Sequence, residues 1–247
     1  MKKIALVTGS TKGIGRAIAQ KLLEANYIVY INGRDNHQVE QTVTSLNNND
    51  AKPLAYDMNQ TPLITKAIDE IIKNEHRLDL LVGNIGSGKS KPFDALDIEE
   101  YRRIFDINFF NNVALCDYGV KMMQPYGGHI VLIASIAGCE FLGAPIAYSC
   151  AKTALLSFSK HLSHEVAKYS IRVNSISPGN VMFKGSTWED KIKDNQFMVK
   201  EYISKNVPLN TFATPEDIAQ AVLFLDNSPF ITGSNLIIDG GQTHQII

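Results

Sequence analysis

The stretch KKIALVTGSTKGIG, residues 2–15, decides the fold. Residues 2–8 close on a continuous apolar run, the pattern of a strand buried on both faces. The glycine cluster TGSTKGIG (8–15) follows at once, then RAIAQKLLEA, whose apolar residues recur at helical spacing. Strand, glycine turn and helix in that order make a phosphate cradle: backbone N–H groups point at phosphate oxygens and the helix start adds positive dipole. Gly9 permits the tight turn, Gly13 lets backbone approach a pyrophosphate, and Gly15 lets the helix pack close to the strand. The two N-terminal lysines and short apolar run resemble the head of a signal peptide, but the run stops at Thr8 and no small-residue cleavage site follows.

Outward from this unit the pattern repeats. Further strands are expected at IVYIN (28–32), PLAYD (53–57), LDLLV (79–83), GHIVLIAS (128–135), IRVNSIS (171–177) and NLIID (235–239). Helices are expected at 36–46, from Thr61-Pro62, over 97–123, over 146–169 and from TPED (214–217). Apolar strands alternating with helices argue an α/β fold, a parallel sheet covered by helices on both faces. No linker or repeat divides the chain, so 1–247 is expected to be one domain. The polar segment 180–206 is the one long departure from alternation and is expected to be a substrate lid.

Bulk numbers fit this reading. The chain has 247 residues, 45% apolar and 20% charged, ordinary values for a globular protein. A net charge of −1 gives no general attraction to nucleic acid or anionic membrane, and no apolar run reaches bilayer-spanning length. Cys116, Cys139 and Cys150 have neither the pairing nor the spacing of a disulfide framework or zinc site, and cytoplasm is the expected compartment. No metal site is expected.

A second glycine run, GNIGSGKS (83–90), matches the phosphate-loop pattern of triphosphatases and follows an expected strand. In a triphosphatase, lysine and serine open a helix; here KSKPFD follows and reads as loop. A later apolar strand ending in a magnesium-binding aspartate is also missing, because the fifth strand ends in alanine and serine. The ATPase reading is therefore set aside.

Tyr148 and Lys152 stand four apart at a helix start and share one face, and Ser135 closes the strand before them. In open α/β sheets, ligands sit beyond the carboxyl ends of the strands, where Ser135 and the first glycine loop both lie. A phenol with a pKa near ~10 is a poor acid or base at neutral pH, and a neighbouring cation lowers that value. Lys152 is expected to supply that cation, Tyr148 to exchange a proton with a carbonyl or alcohol oxygen, and Ser135 to hold that oxygen.

These residues give the chain, over its whole length, a resemblance to the classical short-chain dehydrogenase/reductase family, and to bacterial 3-oxoacyl carrier-protein reductases in particular. TGSTKGIG resembles the family's T-G-x-x-x-G-x-G loop, Ser135 its catalytic serine and YSCAK (148–152) its Y-x-x-x-K. PLNTFATPEDIA and ITGSNLIIDGG resemble its C-terminal third. The resemblance implies a seven-stranded Rossmann-type, doubly wound sheet and a homo-oligomer, a tetramer or dimer. It implies that Asn108 completes a proton relay with Ser135, Tyr148 and Lys152. It also implies cofactor contacts from Gly9, Ser10, Thr11, Lys12, Gly13, Ile14 and Gly15. Asp57 would lie near the adenine, and Asn84, Gly86, Tyr148, Lys152, Pro178, Gly179 and backbone at Val181 would complete the set. Gly83-Asn84-Ile85-Gly86 takes the place of the family's N-N-A-G, so the phosphate-loop look of 83–90 arises from Gly88-Lys89-Ser90 following it. Phe183 stands where the family often has threonine.

The end of the second strand separates NAD from NADP, since a carboxylate there repels a 2′-phosphate. Gly33 holds the acidic position, Arg34 follows, and Lys12 precedes Gly13. NADP(H) is favoured, with NAD(H) possible and Asp35 as the opposing charge. The expected reaction is reversible reduction of a carbonyl, 3-oxoacyl or another ketone, to a secondary alcohol. A sugar or other polar metabolite is the alternative substrate, and a non-catalytic dinucleotide sensor the alternative of another class. The lid, with five lysines against four acids, argues against a strongly anionic substrate. His161 and His164 are read as surface or interface residues, Cys139 as a small apolar filler, and the run Phe105, Phe109 and Phe110 as core or subunit contact.

Overall fold

Alternation along each strand sorts the apolar side chains onto two faces of one sheet. The computed structural model describes residues 1–244. Its strands are β1 (Ile4–Val7), β2 (Ile28–Gly33), β3 (Ala51–Ala55), β4 (Leu80–Gly83), β5 (Gly128–Ile133), β6 (Ile171–Pro178) and β7 (Asn235–Ile238). All pair in parallel, in the order β3-β2-β1-β4-β5-β6-β7. The helices are α1 (Gly13–Glu24), α2 (Asn36–Leu46), α3 (Thr61–Glu75), α4 (Ile98–Phe105), α5 (Asn111–Met123), α6 (Ile146–Val166), α7 (Thr187–Asn206) and α8 (Pro215–Asp226). Val7, Val29, Ile31, Val131 and Ile133 face Ile18 and Leu22 of α1 and Ile218 and Val222 of α8. Leu6, Tyr30, Leu54, Ile130 and Leu132 face Ile64 and Ile68 of α3, Leu115 of α5 and Leu155 of α6. The expected seven-stranded Rossmann-type sheet, flanked on both sides, is what the chain forms.

Three elements differ from expectation. The third strand lies at 51–55 rather than 53–57 and places Pro53 inside it, opposite Ile31. Proline is tolerated there because β3 is the sheet edge. The stretch 97–123 is two helices joined by a π-helical turn, Asp106–Phe110, which carries the buried Asn108. Most of the polar segment 180–206 is α7, kinked at Asn195 (φ −157°, ψ 90°). Ser186 caps its first turn through the Glu189 N–H, and Asn195 accepts the Met198 N–H where the helix resumes. Thr214 and Asp217 form a capping box at the start of α8, as the TPED motif implies.

Candidate active site

Strand order reverses between β1 and β4, and the loops leaving their carboxyl ends part to form a crevice. Gly9 (φ +59°) and Gly13 (φ +54°) take left-handed backbone that favours glycine. Gly15 is fixed by packing: a Cβ there would stand 2.4 Å from the Gly9 carbonyl. Asn84 ties the two loops together, donating from its side chain to the Thr8 and Gly9 carbonyls at 3.1 and 3.3 Å. No side chain caps α1 and no acid stands in its first turn, so its amino end is kept for an anion.

The crevice has a volume of about 780 Å³. Among the expected cofactor residues, Gly9, Thr11, Lys12, Ile14, Arg34, Asp57, Asn84, Gly86, Tyr148, Lys152, Pro178, Gly179 and Val181 line it. Three do not. The Ser10 hydroxyl turns inward to the Asn32 N–H, Gly13 lies beneath the Phe183 ring, and Gly15 lies behind Gly9. Asp57 follows the strand rather than ending it, and accepts the Asn59 N–H at 3.0 Å.

The residues fit a dinucleotide carrying a 2′-phosphate. No carboxylate stands at Gly33, and a Cβ there would require the Thr11 side chain, 2.7 Å away, to move. The Asp35 carboxylate is occupied as the N-cap of α2, accepting the Gln38 N–H at 2.9 Å. Lys12 and Arg34 are exposed at the crevice, and neither makes an ion pair among the described residues.

A second cavity, of about 540 Å³, opens beside the first. Ser135, Tyr148, Gly88 and Gly179 line both, so the two spaces meet at the expected catalytic pair. Ser135 follows β5, and its Oγ accepts the Ala137 N–H at 3.2 Å. Lys152, buried on α6, donates from Nζ to the Ile133 carbonyl at 2.9 Å and stands 5.8 Å from the Tyr148 ring centre. Asn108 spends its amide on the backbone of Ser87, accepting the N–H at 2.9 Å and donating to the carbonyl at 3.1 Å. A Cβ on Gly86 would lie 2.9 Å from Asn108 Oδ1 and 3.0 Å from Lys152 Nζ, so loop, asparagine and lysine converge there.

Burial brings Lys152 down to about 8 and pushes the Tyr148 phenol above its ordinary value, while the nearby Ser135 hydroxyl pulls the phenol back. The expectation that the Tyr148 phenol is lowered is thus corrected for the protein alone: loss of solvent raises it, and the one opposing influence is the Ser135 hydroxyl. The phenol stays protonated at neutral pH, the state an acid needs.

Residues 84–92 are loop, so Lys89 and Ser90 open no helix; Lys89 instead pairs with Asp190 of α7 at 3.7 Å. Sequence reasoning missed several crevice residues, Asn32 and Gln38 among them. Asn32 accepts the Gly9 N–H at 3.2 Å and donates to the Leu54 and Tyr56 carbonyls. A polar residue at the end of an apolar strand was its available signal. His161 and His164 are exposed on α6. Phe109 packs on Phe158 in the core with ring centres 6.1 Å apart, while Phe110 is 53% exposed. Among the described residues no helix is long and apolar enough to cross a membrane.

A family model described as enoyl-(acyl carrier protein) reductase matches residues 9–243. Carbonyl reductase family member 4 of Xenopus laevis is 34% identical, covering 99% of this chain and 100% of that protein. The 3-oxoacyl-[acyl-carrier-protein] reductase FabG of Aquifex aeolicus is 31% identical, covering 97% of each. A solved structure of L-sorbose reductase from Gluconobacter frateurii, complexed with NADPH and L-sorbose, superposes with a TM-score of 0.91 at 28% identity, covering 99% of this chain and 98% of that one.

Proposed function

The chain belongs to the classical short-chain dehydrogenase/reductase family, and from that premise we propose how its residues carry out NADP(H)-dependent reduction of a carbonyl to a secondary alcohol. The enzyme is an NAD(P)-dependent oxidoreductase acting on a small molecule. One observation carries the assignment of roles: crevice and second cavity meet at Ser135 and Tyr148. A nicotinamide bound in the crevice supplies the hydride.

The chain's own groups do the rest. The amino end of α1 receives the pyrophosphate, and Lys12 and Arg34 receive the 2′-phosphate. Asp57 stands at the adenine end, and backbone at Val181 at the nicotinamide end. Ser135 hydrogen-bonds the carbonyl oxygen and fixes its position. Tyr148, protonated at neutral pH, gives that oxygen a proton during reduction and takes it back in the reverse direction. Lys152, held by the Ile133 carbonyl, places positive charge beneath the phenol and stabilises it as the proton leaves. Asn108 positions the loop 84–90, and through it the wall of the crevice, completing the quartet. Residues 180–206 act as a lid over the second cavity within one domain of 1–247. The relatives named for acyl-carrier-protein substrates point to 3-oxoacyl groups, and the L-sorbose complex points to a polyhydroxylated ketone. The exposed Phe110 and its neighbours on α4–α6 are the surface for a homo-oligomer, and cytoplasmic residence completes the proposal.

Fluorescence titration with NADPH and NADH tests the cofactor half. The expected result is tighter binding of NADPH, with Arg34→Ala removing most of the preference. Tighter binding of NADH by the unaltered protein would overturn it.

A further inference from the structure

The cavity beside Ser135 and Tyr148 has a polar wall that proton transfer does not require. Asn180 after β6, Tyr202 on α7 and Gln242 near the C-terminus come from three separate segments and line this one space. Gln242 is only 3% exposed. Asn180 Nδ2 donates to Gln242 Oε1 at 2.6 Å, and Gln242 Nε2 donates to the Tyr202 hydroxyl oxygen at 3.0 Å.

This wall is held in place from behind. Asp239 accepts the Gly241 N–H at 2.9 Å, the Thr243 N–H at 2.7 Å and the Thr243 hydroxyl at 2.8 Å, which fixes the turn carrying Gln242. Glu140 accepts the His244 N–H at 2.8 Å and pins the segment that follows. The Trp188 ring lies 5.4 Å from the Tyr202 ring and supports it. Such a wall is set before any ligand arrives.

The chain of bonds runs in one direction and leaves something at each end. Tyr202 accepts from Gln242 and keeps its own proton to donate. Asn180 donates to Gln242 from its side-chain amide and keeps the side-chain oxygen to accept, its backbone carbonyl being taken by the Ala213 N–H. A donor and an acceptor on one wall match a hydroxyl group, which is both at once. An aliphatic acyl chain laid there would strip water from both groups and return no hydrogen bond.

We propose that Asn180, Gln242 and Tyr202 bind substrate hydroxyl groups, so that the substrate is a short polyhydroxylated ketone, or the corresponding polyol, rather than a 3-oxoacyl thioester. This rests on the reductase reading above and narrows it. Gln242 and Tyr202 set specificity, whereas Ser135, Tyr148 and Lys152 serve any carbonyl that enters.

The test compares kcat/KM with NADPH for three compounds: a 2-ketohexose, the unsubstituted 2-ketone of the same chain length, and a 3-oxoacyl thioester. The expected result is a preference for the hydroxylated over the plain ketone of about 100-fold or more. Gln242→Leu and Tyr202→Phe each lower that ratio about 10-fold, mainly through KM. A ratio near one in the unaltered protein, or a preference for the thioester, overturns the inference and leaves the reductase reading standing. So does a fall in both ketones in equal proportion in the two variants. Reduction of none of the three compounds overturns both.

Discussion

Gly15 shows how a single atom is excluded from this site. The Cβ of Gly15→Ala would stand 2.4 Å from the Gly9 carbonyl, which is backbone and cannot rotate aside. The variant should lose about 1–3 kcal/mol of stability, read as a lower denaturant midpoint, and NADPH binding should weaken with it. An unchanged midpoint would mean that the turn tolerates separation from the helix. Lys152 makes a second prediction at this scale. Its ammonium is brought down to about 8 by burial, so it is charged below that pH and neutral above it. Reductive kcat/KM should therefore fall as pH rises through about 8, and Lys152→Arg, if active, should move that limb upward because arginine keeps its charge. A flat profile to pH 10 in the unaltered enzyme would remove the ammonium from the mechanism. Much at this scale was legible: the spacing Ser135, Tyr148, Lys152 implied a shared site, and the two cavities meet there. The environment of those groups was not legible. Burial depends on which side chains close over them from distant segments, and that reversed the expected shift of Tyr148.

Elements were legible where periodicity and caps agree. The helix over 36–46 and the start at TPED are legible in the sequence, since each has a capping side chain at its amino end. Thr214→Ala removes the side-chain half of that capping box and should cost about 1 kcal/mol, measured by denaturant unfolding. No loss would mean that Pro215 and tertiary packing alone hold the start of α8. Elements were hidden where a tertiary contact decides their form. Pro53 read as the opening of a strand, yet it sits within β3 because the sheet has its edge there. The π-turn at 106–110 has no sequence mark beyond Asn108, whose hydrogen bonds to Ser87 form only once the chain has folded. The helix α7 was obscured because only Val199 and Ile203 are buried along it, and its kink at Asn195 breaks the apolar period.

Across the whole molecule, the proposed reaction site and a polar cluster tied to stability lie at opposite ends of the sheet. The carboxyl ends of the strands hold the crevice. The amino ends hold a buried polar cluster of His129, Asp226, Tyr27 and Asn174, with the half-buried Arg172 and the exposed Lys3 at its rim. His129 donates from Nδ1 to Asp226 at 3.1 Å and accepts at Nε2 from Asn174 at 3.0 Å, so it is neutral in the fold. Lys3 and Tyr27 also donate to the Asp226 carboxylate, and Arg172 lies 3.6 Å from it. Burial lowers the His129 pKa; burial also pushes Asp226 upward, but the hydrogen bonds donated by His129, Lys3 and Tyr27 together outweigh it and hold Asp226 below the carboxylate range. Both shifts make the unfolded chain the better proton acceptor. Stability should therefore decline as pH falls below about 6.5, where unfolded histidine takes up a proton and becomes charged, and further below about 4, where unfolded aspartate takes up a proton and becomes neutral. Melting temperatures between pH 8 and 5 test this: His129→Gln should show a shallower decline, and an identical slope would exclude the cluster as its source. The central claim lies at the other end of the sheet, where Tyr148 is the proton donor to a carbonyl held between crevice and cavity. The most direct measurement is NADPH-dependent turnover of a ketone substrate by the unaltered enzyme and by Tyr148→Phe, with NADPH binding followed in parallel. The account predicts that the variant still binds NADPH and loses about 10²–10⁴-fold in kcat, and turnover equal to that of the unaltered enzyme would contradict it.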